Sequence, residues 1–156
     1  WRAIAQRAPS THSALTMDES AGPAEIEAPF IYKKGDYYYL FVSWGLCCRG
    51  AASTYHLAVG RAKEVSGPYL DKAGKDMALG GGSVLLKGNK AWQGLGHNSA
   101  YQFDGKDYLV LHAYETADKY LQKLKIMEMT WDAEQWPLVD ARELDSYQSR
   151  LLPMQK

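Results

Sequence analysis

The chain has 156 residues, enough for one domain with a real core and too few for two comfortable ones. Lysine plus arginine balance aspartate plus glutamate at 18 each, so nothing in the charge points to nucleic acid or an anionic membrane as partner. No apolar run approaches the roughly 20 residues that cross a bilayer, and the adjacent Cys47 and Cys48 suit neither an ordinary disulfide nor a metal cluster.

Residues 1–24 are polar and broken by Pro9 and Pro23, which predicts a short strand or coil over 1–5 followed by a loop. The opening Trp1-Arg2-Ala3-Ile4-Ala5 lacks the layout of a signal peptide and reads as the interior of something longer. The first strand pair is expected at 30–33 and 37–44, turned by Lys34-Gly35-Asp36. In the second of these both alternating sets are apolar: Tyr37, Tyr39 and Phe41, then Tyr38, Leu40, Val42 and Trp44. Such a strand is covered on both faces. A loop over 45–53 leads to a strand at 55–62, and Ser66-Gly67-Pro68-Tyr69 then breaks the pattern. Asp71-Lys72-Ala73-Gly74-Lys75-Asp76 mimics part of a calcium loop but lacks its closing glutamate, so a hairpin turn is expected there. A short strand at 83–87 ends at Gly88. Further strands follow at 99–103, 108–114 and 121–130, the first two joined by Asp104-Gly105, the strongest short hairpin signal. The tail 141–156 is mixed and polar, suited to a closing strand or a short helix.

A repeat runs through these elements. Lys34-Gly35-Asp36-Tyr37-Tyr38-Tyr39-Leu40-Phe41 aligns with Asp104-Gly105-Lys106-Asp107-Tyr108-Leu109-Val110-Leu111, with Gly35 and Gly105 separated by 70 positions. Trp136-Pro137 falls 69 residues after Gly67-Pro68. Two copies of one antiparallel unit, each covered on both faces, predict an all-β chain made of propeller blades. The expected division is a leading strand and loop over 1–24, a first blade unit over 25–90, a second over 91–140, and a closing tail over 141–156. About two to three blades cannot close a ring of at least four. The ring is therefore incomplete in this chain, and open blade faces would expose aromatic surface.

Glu27 and His97 sit 70 positions apart, each just ahead of a matching strand pattern, so the two should converge. Ile26-Glu27-Ala28-Pro29 puts a carboxyl at the mouth of a strand, beside a proline that enforces extension. A carboxyl held in a partly apolar pocket keeps its proton at higher pH than a free one, as a general acid must. The plain alternative is an exposed loop glutamate beside Glu25. Gly94-Leu95-Gly96-His97-Asn98-Ser99 surrounds an imidazole with small residues that allow close backbone approach, and imidazole ligates metals or holds their water shell. The alternative for His97 is a buried histidine bonded to backbone. His56 and His112 are expected to be structural, and Cys47 and Cys48 to be small buried hydrophobes, the alternative being that they line a pocket. The glycines complete no nucleotide loop, and no serine-histidine-aspartate spacing stands out. The 11 tyrosines and 5 tryptophans suit strands, and also permit stacking on sugar rings.

With these residues in hand, the chain resembles an arabinanase of glycoside hydrolase family 43. The resemblance runs through Ile26-Glu27-Ala28-Pro29-Phe30, Gly35-Asp36-Tyr37-Tyr38-Tyr39-Leu40-Phe41, Cys47-Cys48-Arg49-Gly50, Ser53-Thr54-Tyr55 and Val59-Gly60-Arg61. It continues in Gly67-Pro68-Tyr69, Gly80-Gly81-Gly82, Gly96-His97-Asn98-Ser99, His112-Ala113-Tyr114 and Trp136-Pro137. It covers about residues 25–140, and the joint order is what makes it specific. It implies a five-bladed propeller, inverting hydrolysis of α-1,5-linked arabinan or arabino-oligosaccharides, Glu27 as general acid, and His97 beside a central calcium held partly through water. The base aspartate and a second aspartate that tunes the acid belong, in that family, to earlier blades; Asp18 lacks their surrounding motifs. The expected partner is thus a missing N-terminal half or a second chain completing the ring, and the substrate implies a secreted or periplasmic enzyme. An exo-acting α-L-arabinofuranosidase or β-xylosidase of the same family is the alternative, and a non-catalytic carbohydrate-binding half-propeller is another.

Overall fold

The computed structural model describes residues 25–146; the expectations for 1–24, Asp18 included, and for 147–156 lie outside them. Four strands, β1 (Ile26–Lys34), β2 (Tyr37–Trp44), β3 (His56–Ala62) and β4 (Ser83–Leu86), form one antiparallel sheet in sequential order. Four more, β5 (Trp92–Phe103), β6 (Lys106–Glu115), β7 (Leu121–Trp131) and β8 (Pro137–Val139), form the second in the same way. A helical turn, α1 (Glu143–Ser146), follows. The two sheets are propeller blades. The strand β8 is too short for its alternation to show in the sequence. The start of β5 at Trp92 was masked by register shifts at Gln93/Gly96 and Gly96/Ser99, which break the period-2 pattern over the glycines.

Alternation decides which residues meet. Tyr39 and Phe41 of β2 and Leu57 and Val59 of β3 face the second sheet and pack on Leu95, Ala100, Leu109, Leu111, Ala113, Met127 and Met129. The intervening Leu40, Val42 and Ala58 form a smaller core on the opposite face, closed by Tyr69 and Met77 from the β3–β4 connection. The β2 strand is therefore buried on both sides, as its two apolar sets require. The second blade has no such cover on its outer face among the described residues. Tyr101, Phe103, Tyr108, Val110 and Ile126 line an open apolar groove of about 440 Å³, with Phe103 64% exposed.

Polar contacts clamp the blades as well. Asp107 of β6, only 4% exposed, accepts from Tyr32 Oη at 2.6 Å, Trp131 Nε1 at 2.6 Å and Gln102 Nε2 at 3.1 Å, and lies 2.5 Å from Lys34 Nζ. Tyr32 and Lys34 belong to β1, so one carboxylate ties the two sheets. These donors hold it below the ordinary carboxylate range against the opposing effect of burial. Nearby, the Arg61 guanidinium sits between the rings of Tyr37 and Trp136, 4.2 Å from each centroid. The Asp71 side chain closes its own turn: its two carboxylate oxygens accept from the amides of Ala73, Lys75 and Gly82.

The register corrects the repeat. The first hairpin closes on the pair Lys34 and Tyr37, with Gly35 at φ +55° as its first turn residue. The second closes on Phe103 and Lys106, with Asp104 and Gly105 both at positive φ. Glycine takes the first position in one turn and the second in the other, as the two mirror-type hairpin turns demand. Strand positions are therefore related by 69 residues, not 70: the pair Glu27 and Ser43 corresponds to Gly96 and His112. His97 corresponds to Ala28, and the two share the left-handed conformation, at φ +54° and +50°. The equivalent of Glu27 is thus a glycine, and aligning the turns by their glycines misplaces the site by one position.

Candidate functional site

Because the hairpin turns lie at one end of the blades, the start of β1, the end of β2 and the start of β3 share the other end. Glu27 and Ser43 come from the first two, and Tyr55 directly precedes the third. Opposite them, Gly96 and His97 lie on β5 and His112 on β6. Glu27 Oε2 accepts a hydrogen bond from Tyr55 Oη at 3.0 Å. The Tyr55 ring stacks on His112 with centroids 5.9 Å apart and planes within 3°. The His112 ring in turn lies 6.3 Å from that of His97, and 5.6 Å from that of Tyr114 in a second stack. Ser43 is fully buried, and its Oγ accepts from the His97 amide at 2.8 Å. Glu27 and His97 are thus brought into one cluster, joined by residues that the repeat alone does not reveal.

Glycine makes this approach possible. A Cβ on Gly96 would lie 2.2 Å from Tyr55 Cε1 and 2.9 Å from Ser43 Oγ, and one on Gly94 would lie 2.3 Å from the Tyr114 ring. The second blade therefore carries two bare positions that aromatic rings of the site approach closely.

Burial and charge set the proton chemistry. Tyr55 is 2% exposed, and burial pushes its phenol well up, the Glu27 carboxylate adding to this while Ser43 opposes it. The phenol accordingly stays a donor. Burial, and secondarily His97, lower the His112 imidazole, so it is neutral near pH 7. Cys47 is pushed up to about 11, first by its contact with Cys48, then by burial and by the charges of Glu27 and Glu25.

Several sequence readings change here. Glu27 is exposed, so the two described blades do not supply the apolar enclosure expected around it. His97 is exposed too, and not a buried backbone-bonded histidine. Cys47 is half-buried and Cys48 exposed, at φ +62°, its amide donating to Tyr114 Oη at 2.9 Å; they line the cluster instead of filling the core. His112, half-buried on its strand, stacks on Tyr55 and lies beside the His97 ring, so it also lines the cluster. Ser43, a lone hydroxyl inside the apolar run Phe41-Val42-Ser43-Trp44, was the one sequence signal for a buried polar contact at this end.

The residues do not by themselves fit calcium. That hard cation takes about six to eight oxygen ligands, whereas the surroundings of His97 offer imidazole nitrogens. Among the described residues no three His, Cys, Asp or Glu side chains group closely enough to hold a metal. Both amide atoms of buried Asn98, and Nε2 of His112, have no hydrogen-bond partner among the described residues, so polar capacity remains beside His97.

Comparison with known proteins bears on this geometry. The description "Glycosyl hydrolases family 43" matches residues 4–137. The chain is 67% identical over 152 residues to the extracellular exo-α-(1→5)-L-arabinofuranosidase of Cellvibrio japonicus, covering 97% of this chain and 43% of that protein. It is 44% identical over 112 residues to the extracellular endo-α-(1→5)-L-arabinanase 1 of Bacillus subtilis, covering 72% and 33% respectively. Among solved structures, a Cellvibrio cellulosa α-L-arabinanase complexed with arabinohexaose superposes with a TM-score of 0.78 at 74% identity, over 79% of this chain and 39% of that one. The chain therefore spans well under half the length of the relatives it matches.

Proposed function

The chain belongs to glycosyl hydrolases family 43, and from that premise we propose that it forms part of an enzyme that hydrolyses α-1,5-linked L-arabinan with inversion, with Glu27 as general acid. The observation that carries this reading is the Glu27 carboxyl at the strand end, held by a buried phenol and linked through it to His112 and His97 of the next blade. Inversion needs an acid that protonates the leaving oxygen and a carboxylate that activates water, about 6.5–9.5 Å apart. As the Glu27 proton reaches the glycosidic oxygen, the bond from that oxygen to the anomeric carbon breaks. Water, losing its proton to the base, adds from the opposite face.

The base aspartate belongs outside the described residues. Asp107 is committed to the blade clamp and Asp71 to its own turn. The complementary blades would come from the remaining length seen in the relatives, or from a second chain, and the open apolar face around Phe103 supports such a neighbour. A calcium near His97 is part of the proposal, with oxygen ligands from water and from those blades. Secretion is proposed because the relatives matched are named as extracellular.

In the complete protein, Glu27→Gln should lower turnover of unactivated arabinan by about 10²–10⁴-fold while oligosaccharide binding survives. Wild-type turnover in that variant would remove Glu27 from the role. The isolated chain should hydrolyse little or nothing. Exo action is the second reading, favoured by the relative at 67% identity; product profiles on linear arabinan against nitrophenyl arabinoside separate the two. Sugar affinity without turnover after the complementary blades are supplied would instead mark a non-catalytic half-propeller.

A further inference from the structure

Tyr55 reaches Glu27 from the far side of the β1–β2 pair, and everything around its ring prevents it from moving. It is 2% exposed, lies against the bare backbone of Gly96, and stacks on His112 with planes within 3°. We propose that Tyr55 is a positioning residue for the acid: it takes one oxygen of the Glu27 carboxyl and leaves the other to carry the proton to the leaving oxygen. This rests on the reading of Glu27 as general acid.

An exposed glutamate on its own samples several rotamers, and each misdirects the proton. A phenol fixed by two blades restricts that freedom, because only rotamers that bring a carboxyl oxygen to its hydroxyl keep the 3.0 Å hydrogen bond. The contact also changes strength during the reaction. Before transfer, Tyr55 donates to the carbonyl-like oxygen of a neutral acid. When the proton moves to the glycosidic oxygen, and the breaking bond's electron pair goes with that oxygen, Glu27 becomes a carboxylate. The hydrogen bond is then to an ion and roughly twice as strong. Stabilisation that grows as charge develops lowers the barrier more than it favours the bound substrate. The phenol keeps its own proton throughout. The second blade, through Gly96 and His112, thus sets the aim of an acid carried by the first.

The test is Tyr55→Phe in the complete enzyme. The titratable groups around the contact, Glu25, Cys47, Cys48, His97, His112 and Tyr114, are unchanged by it. Arabinan turnover should fall roughly tenfold to a hundredfold with KM little altered. A nitrophenyl arabinoside, whose leaving group needs little protonation, should lose far less. The alkaline limb of the pH–rate profile should move to higher pH, since the donor that favoured the ionised carboxyl is gone. Equal losses on both substrates with an unmoved limb would reduce Tyr55 to a packing residue and overturn the proposal. Glu27→Gln run alongside keeps the two ideas apart: an inactive Glu27→Gln beside an unaffected Tyr55→Phe sinks only the positioning role. Should Tyr55→Phe not fold, 3-fluorotyrosine at position 55 preserves the packing, and its more acidic hydroxyl must move the limb to lower pH; an unmoved limb there also refutes the idea.

Discussion

Asp107→Asn tests whether the blades are held together by a buried carboxylate or merely by apolar packing. The substitution keeps size and shape but turns an acceptor of several donors into a group with two donors of its own. Tyr32 and Gln102 donate to Asp107 Oδ1, Trp131 donates to Oδ2, and Lys34 Nζ lies 2.5 Å from Oδ2. The new amide nitrogen therefore faces fixed donors on the Oδ2 side, and on the Oδ1 side requires the Tyr32 hydroxyl and the Gln102 amide to turn round. Each hydrogen bond to a charged group contributes about 1.5–3 kcal/mol. These are not additive, and the Lys34 side chain, 34% exposed, can turn to water. Breaking a buried pair on one side typically costs about 3–5 kcal/mol, and about 3 kcal/mol is expected here. At this chain length that corresponds to a Tm lower by about 10 °C. Urea titration followed by tryptophan fluorescence is the direct assay, because Trp131 stacks on Tyr32 within the clamp. A loss below about 1 kcal/mol, the range of exposed ion pairs, would show that the Asp107 cluster is ornamental and that the hydrophobic interface alone sets the blade angle.

Acid should destabilise the chain in two steps. Burial lowers His112 and His56 below their ordinary value of 6.5 in the folded state, so the unfolded chain takes up those protons first; this stability is complete above that value and is lost as pH falls through the folded ones. Asp107, also lowered when folded, contributes above its ordinary 3.8 and fails at lower pH still, so Asp107→Asn should flatten only the second step. Urea midpoints that stay level from pH 7 to pH 5 would contradict the first. The apolar groove around Tyr101, Phe103 and Ile126 should drive self-association of the isolated chain; Phe103→Glu with Ile126→Lys should yield a smaller species in sedimentation velocity, and an unchanged distribution would clear that face of the role.

The strands were legible in the sequence because their signal is local. Tyr39 and Phe41 alternate with Leu40 and Val42 within a few residues, and each turn is announced by its own glycine. The Glu27 and His97 pair was legible for the same reason: both stand just ahead of such a pattern, and a repeated unit brings its like ends together. The one-residue error in the repeat also has a local origin. A glycine serves the first position of one hairpin turn and the second of the other, and only backbone dihedrals tell these apart. What the sequence by itself determined was therefore the class of fold, the family and the end of the blades at which Glu27 and His97 meet. What the tertiary structure decided was who touches whom there. Tyr55 meets Glu27 across 28 positions, and Ser43 meets the His97 amide across 54. Contacts of that span leave no period in the string: the first joins two elements of one sheet across β2, and the second arises from the angle at which one twisted sheet packs on another.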